Sequence, residues 1–260
     1  MNEKNDIKHI RELLENRFQM YNRATFVASD PICVPHQFTS REDREVAGFL
    51  VATISWGNRK SIIANGLRLM QCMDFAPHDF IRNFSEKDLL RFDGFIHRTF
   101  NVVDLGCFLF SLKNIYANHG GMEALFYKGL AEGQDMKQGI TNFRKVFFEI
   151  PHPGRSRKHV SNPETGSAAK RLNMFLRWMV RRDEQGVDFG IWKSISPQML
   201  YCPLDVHSGR VARKLGLLKR KQDDWKAVEE LTANLRLIDP EDPVRFDYAL
   251  FGLGVFERFG

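Results

Sequence analysis

The sequence predicts an all-α fold, and three observations carry that expectation. Apolar residues recur at helical spacing in one segment after another. Helix-starting Ser, Asp and Pro and helix-stopping Gly and Pro punctuate those segments. No strand-rich region, no alternation of strand and helix patterns and no internal repeat interrupts them. With 260 residues, 43% of them hydrophobic and 22 of them Phe, the chain can fill a large interior. A chain of this length allows one large domain or two lobes sharing a core.

Taken in order, residues 7–21 place Ile7, Ile10, Leu14 and Phe18 on one helical stripe. Asp30-Pro31-Ile32-Cys33-Val34-Pro35-His36 is expected to be an extended loop, because each proline pushes its predecessor out of helical geometry. Thr39 or Ser40 then caps a helix, with Asp43 completing a capping box from Ser40. Val46, Phe49, Leu50, Thr53 and Ile54 form its inward face. The helix breaks at Gly57-Asn58, and a second runs from about Lys60 to Met73. Residues 75–98 hold several short turns, with helix starts at Pro77 and Ser85. From Asn101 or Asp104 to Tyr116 the chain is apolar nearly all round, which predicts a central buried helix. Gly120-Gly121 ends it, and further helices span Met122 to Leu130 and Ile140 to Phe148.

Pro151 to His159 is a break followed by a basic loop, which leads through Asn162-Pro163-Glu164-Thr165-Gly166 into an amphipathic helix. Leu172, Phe175, Leu176 and Met179 are that helix's apolar stripe. Ser167 is its expected N-cap, which places Lys170 at the third helical position. A lysine there opposes the helix macrodipole, and Arg171 stands beside it. Both disfavour the ammonium form, one route to a nucleophilic amine. Downstream, Ser196-Pro197 starts a helical turn, and Tyr201-Cys202-Pro203 leads to Asp205. Asp205 is the expected N-cap of a helix whose face carries Ser208, Val211, Ala212 and Leu215, stopped by Gly216. Trp225 to Leu235 is a helix with Val228, Leu231 and Leu235 inward. Asp242 is expected to cap the last helix, with Pro243 at its first position and Phe246, Ala249, Leu250 and Leu253 buried.

The chain carries 38 Lys+Arg against 32 Asp+Glu, a net charge of +6. The excess is concentrated: residues 144–182 hold ten basic side chains against two acidic ones, a local +8. A basic loop feeding a helix N-terminus is a natural phosphate cradle. Cys33, Cys72, Cys107 and Cys202 lack metal-ligand or iron–sulfur spacing, so no metal and no cofactor is expected. Reduced thiols, a charged amphipathic N-terminus in place of a signal peptide and the lack of a long apolar run point to a cytoplasmic protein without a membrane partner.

A lysine that opens a helix after a small-residue turn, followed by an Asp that opens the next helix, resembles the helix-hairpin-helix base-excision DNA glycosylases. Gly166 to Lys170 is similar to their Gly-x-Gly-x-Lys hairpin in degenerate form, with Ala168-Ala169 departing from it. Leu204-Asp205-Val206-His207 with Arg210-Val211 resembles their Val-Asp-Thr-His…Arg-Val segment. The Lys170–Asp205 spacing is closest to that of the archaeal 8-oxoguanine glycosylases. The chain as a whole is also similar to an uncharacterised bacterial protein family. The resemblance implies a two-lobed fold with a central cleft: residues 38–150 as one lobe, residues 1–37 plus 151–260 as the other.

What the resemblance implies for function is DNA repair by a monomer on double-stranded, damaged DNA. Lys170 would attack the sugar and form a Schiff base, and Asp205 would take the lysine's proton and stabilise the cationic sugar. Arg59, Lys60, Arg155, Arg157, Lys158, Gly166, Ser167, Arg171, His207 and Arg210 are candidate phosphate contacts. The family's wedging Gln is missing at the junction Ser55-Trp56-Gly57-Asn58-Arg59-Lys60. Trp56 there either stacks on a base or belongs to the core. His207 either touches phosphate or is a partly buried structural residue. Two further readings stay open: a non-catalytic nucleic-acid-binding protein, and a helical scaffold in which Lys170 and Asp205 form an ordinary ion pair.

Overall fold

The computed structural model describes residues 3–259, with side chains from residue 7 onward. The fold is all-α: twelve α-helices and several 3-10 turns account for the ordered secondary structure among the described residues, apart from one two-stranded ribbon, β1 (Ile96–His97) with β2 (Phe100–Asn101). No helix among them is long and apolar enough to cross a membrane. The chain divides into two compact units, residues 27–162 and residues 1–26 with 163–260. These boundaries fall at 26/27 and 162/163, where the sequence reading drew its lobes at about 37/38 and 150/151.

The 27–162 unit begins with a correction. Asp30 to Gln37 is not extended but winds into two 3-10 turns, Pro31–Cys33 and Pro35–Gln37. Each proline occupies the first position of its turn, where its fixed φ and missing N–H cost nothing. Ser40 caps α3 (Arg41–Ile54) by accepting from the Asp43 amide, and Asn58 caps α4 (Arg59–Cys72) through Ser61. Then come α5 (Pro77–Asn83), a 3-10 helix over Glu86–Phe92, the ribbon, and α6 (Val102–Asn118) with Asn101 as its cap. The helices α7 (Met122–Gly133) and α8 (Met136–Phe147) pack at backbone distance. A Cβ on Gly129 would lie 2.5 Å from the Gln138 carbonyl, so only glycine admits that approach. Phenylalanine supplies the interior: Phe49, Phe108, Phe126, Phe143 and Phe147 are fully buried and stack or meet edge to face.

The other unit joins the two ends of the chain. It contains α1 (Glu3–Tyr21), α9 (Lys170–Val180), α10 (Val206–Lys214), α11 (Trp225–Ile238) and α12 (Asp247–Val255). The helix α12 packs between α1 and α10. Phe175, Trp178, Trp192, Trp225 and Tyr248 anchor the core. Glu257 ties the ends together by accepting from Arg17 and Tyr21, and Arg245 holds Glu15 at 2.6 Å. Asp242 does not cap the last helix. Its carboxylate instead accepts from Arg181 at 2.8 Å, Pro243 opens a 3-10 turn (Pro243–Phe246), and α12 starts only at Asp247.

Candidate active site

The approach to Lys170 is shaped by pairing rather than by a serine cap. Gly166 turns the chain at φ 89, its carbonyl accepts from the Trp225 amide at 3.0 Å, and Ser167 forms an antiparallel bridge with Asp224. Held extended in that bridge, Ser167 does not cap the helix; its Oγ accepts from the Ala169 amide at 3.3 Å. Ala169, in left-handed geometry at φ 45, is the residue that enters α9, so Lys170 is the first helical residue rather than the third. That puts the amine even nearer the positive end of the helix dipole.

Asp205 is the N-cap of α10, as its sequence position predicts. Oδ1 accepts from the amides of His207 (2.9 Å) and Ser208 (3.0 Å), and Ser208 Oγ completes the box by accepting from the Asp205 amide at 2.9 Å. Capping engages one carboxylate oxygen and leaves Oδ2 facing Lys170 Nζ at 3.7 Å. The two side chains are 31% and 29% exposed, so the pair is reachable from solvent. Partial burial pushes the Asp205 carboxyl up, but the charge of Lys170 and the two backbone donors outweigh burial and hold it below the usual carboxylate range.

A third group of the same unit was not singled out in the sequence. Asp247, at the start of α12 and 8% exposed, accepts from Arg177. Burial pushes its carboxyl up to about 6; Arg177 and then Lys170 pull it down, while Asp205 and Asp188 push it up. The charges of Lys170 and Asp205 therefore act on Asp247 directly. The available signal was a lone carboxylate inside the apolar run Phe246-Asp247-Tyr248-Ala249-Leu250.

Around this pair, His207 and Arg210 are exposed on α10, and Gly166 is exposed in the turn. Arg171 is half-buried, and burial brings its guanidinium down to about 10, so it keeps its charge at neutral pH. Arg177 and Arg181 take no part in a basic face. Buried Arg177 holds Asp188 and Asp247, and buried Arg181 holds Asp188 together with the partly exposed Asp183 and Asp242. The local +8 of residues 144–182 is thus partly cancelled by carboxylates from outside that window.

The remaining candidates lie in the 27–162 unit. Trp56 is half-buried, nearly parallel to His159 at 6.0 Å and edge-on to His97 at 5.1 Å. Its carbonyl and Asn65 hold the His97 ring at 3.1 and 2.9 Å. Arg155 is committed to Asp104 (3.1 Å) and to the Thr99 carbonyl (3.0 Å). Buried Asp104 also accepts from Ser156 at 2.8 Å and lies 3.4 Å from His159. This network fastens the basic loop 154–159 to the start of α6 and brings Arg155 and Trp56 onto one cluster. Arg157, Lys158 and Lys60 are exposed, and Arg59 is half-buried at the first position of α4.

Residues 30–256 match the model of a family described as a protein of unknown function (DUF2400). The chain belongs to the DUF2400 family. No curated protein and no solved structure matches it. In this DUF2400 protein the chemistry at hand is that of an amine and a carboxylate meeting at two helix N-termini. Among the described residues no group of three His, Cys, Asp or Glu side chains could hold a metal ion.

Proposed function

We propose that this protein is a DNA repair glycosylase with associated lyase activity, acting on a damaged base through a lysine Schiff base. The observation that supports the reading is the 3.7 Å approach of Lys170 to Asp205, residues 35 positions apart, in a solvent-reachable place. In this reading a damaged nucleotide is extruded from the duplex so that its sugar reaches Lys170. The free amine attacks C1′, the bond from C1′ to the base breaks, and the base leaves with the electron pair and a proton. The nitrogen loses a proton and the sugar ring opens to an imine. Loss of a C2′ proton then expels the 3′ phosphate and cuts the strand. Asp205, held ionised, faces the positive charge that grows on the sugar. A carboxyl below its usual range is a weak proton acceptor, so its role is electrostatic.

The test is covalent trapping. Full-length protein mixed with abasic or damaged duplex and borohydride yields an adduct that disappears in Lys170→Gln. The Ala168-Ala169 departure from the glycine hairpin favours a second reading, a non-catalytic nucleic-acid-binding protein of the same fold. Duplex binding without any adduct supports that alternative, and no binding at low salt removes both.

A further inference from the structure

The loop entering α11 is concave and basic. Lys219, Arg220, Lys221, Gln222, Lys226 and Glu230 line a surface depression of about 560 Å³. Its acids are spent on shaping the loop. Glu230 accepts from the amides of Lys219 (2.6 Å) and Arg220 (3.3 Å), which folds the loop back onto α11. Asp224 caps α11 through the Ala227 amide at 3.1 Å and pairs with Arg220 at 2.6 Å. Asp223 is held by Arg213 at 2.5 Å. Lys219, Lys221 and Lys226 remain exposed and form no ion pair among the described residues. Three ammonium groups on an ordered loop give a fixed positive depression rather than a diffuse charged face.

The same loop is joined to the turn before Lys170. The Ser167–Asp224 bridge and the hydrogen bond from the Trp225 amide to the Gly166 carbonyl make residues 166–167 and 224–225 one backbone element. We propose that this depression is a phosphate seat for the backbone of the nucleic acid, continuous with the hairpin, and that it holds the strand whose sugar is presented to Lys170. Lysines bind phosphodiesters as point charges and fix register without reading sequence. The inference rests on the reading of the protein as a DNA binder and adds a contact surface that no motif in the chain announces.

The experiment compares full-length wild type with Lys221→Gln/Lys226→Gln by fluorescence anisotropy on an abasic-analogue duplex across a salt series. Each neutralised phosphate contributes about 0.9 to the slope of log affinity against log salt, so the variant's slope is expected to fall by about 1.8. Affinity at fixed salt is expected to drop by about tenfold or more. A circular dichroism spectrum like that of wild type shows that the variant is folded. An unchanged slope and affinity in that folded variant overturns the seat, as does a wild type that binds no duplex at low salt. Failure of the glycosylase reading looks different: a normal salt slope, lowered in the variant, with no adduct in either protein.

Discussion

Asp205 and Asp247 both feel the charge of Lys170, yet they titrate in opposite directions because their surroundings differ. Asp205 is half-open, faces Lys170 and accepts from two backbone amides, so ionisation is favoured; its contribution to stability is present above the ordinary carboxyl value and is lost as pH falls. Asp247 is buried, so its proton is favoured in the folded state. Its contribution is full below the ordinary 3.8 and is lost as pH rises through about 6. A shift of this size corresponds to about 3 kcal/mol at most. Asp247→Asn, which keeps the neutral shape, is expected to abolish that decline, and urea denaturation at several pH values between about 4 and 7 measures it. The idea fails if wild type and variant show parallel pH profiles. Asp205→Ala removes the cap of α10 and is expected to cost about 1 kcal/mol. Asp205→Asn retains capping, so it should lose trapping while keeping most of the stability.

At the scale of elements, the turn before α9 offers a clean measurement. Gly166 sits at φ 89 with no atom within 4 Å of where a Cβ would project. Gly166→Ala therefore meets no clash, and its expected cost of about 1–2 kcal/mol is backbone strain alone. A melting temperature equal to that of wild type would show that the turn relaxes without Gly166. The neighbouring Ala169 already tolerates left-handed geometry at φ 45, which shows that pairing with α11 enforces the turn. Elements set by local chemistry were legible in the sequence: the Ser40 and Asp205 caps, the apolar α6 and the stripe of α9 all follow from neighbouring residues. Features set by distant partners were not. Ser167 loses its capping role to Asp224, Asp242 loses its own to Arg181, and the prolines of residues 31–35 wind into 3-10 turns rather than extending. The candidate site divides in the same way. Lys170 and Asp205 stand out by spacing, whereas the interior role of Arg177 and Arg181 depends on Asp188, Asp242 and Asp247, which no local pattern connects to them.

For the molecule as a whole, net charge is a poor guide to where positive charge stays uncompensated at the surface. The +6 total and the basic window both count Arg177 and Arg181, whose charges are neutralised in the interior, while the exposed lysines of residues 219–226 lie in a stretch diluted by Asp223, Asp224 and Glu230. Only the fold shows which acids are already engaged. It also shows that the unit carrying Lys170 and Asp205 is built from both chain ends. Leu14 is fully buried, Phe18 lies under the guanidinium groups of Arg181 and Arg245, and Tyr21 occupies the space that a Cβ on Gly252 would need. Burying a large apolar side chain contributes about 1.5–3 kcal/mol, and a domain's entire stability is about 5–15 kcal/mol. Removing residues 1–22 strips buried Leu14 together with the half-buried Phe18 and Tyr21 and leaves Arg245 without Glu15. The truncated chain is expected to lose the near-ultraviolet circular dichroism of the buried Trp178, Trp192 and Trp225, and with it any adduct at Lys170. A truncated protein with the full tryptophan signal and a cooperative unfolding transition would show that the unit carrying Lys170 and Asp205 does not need the N-terminal helix.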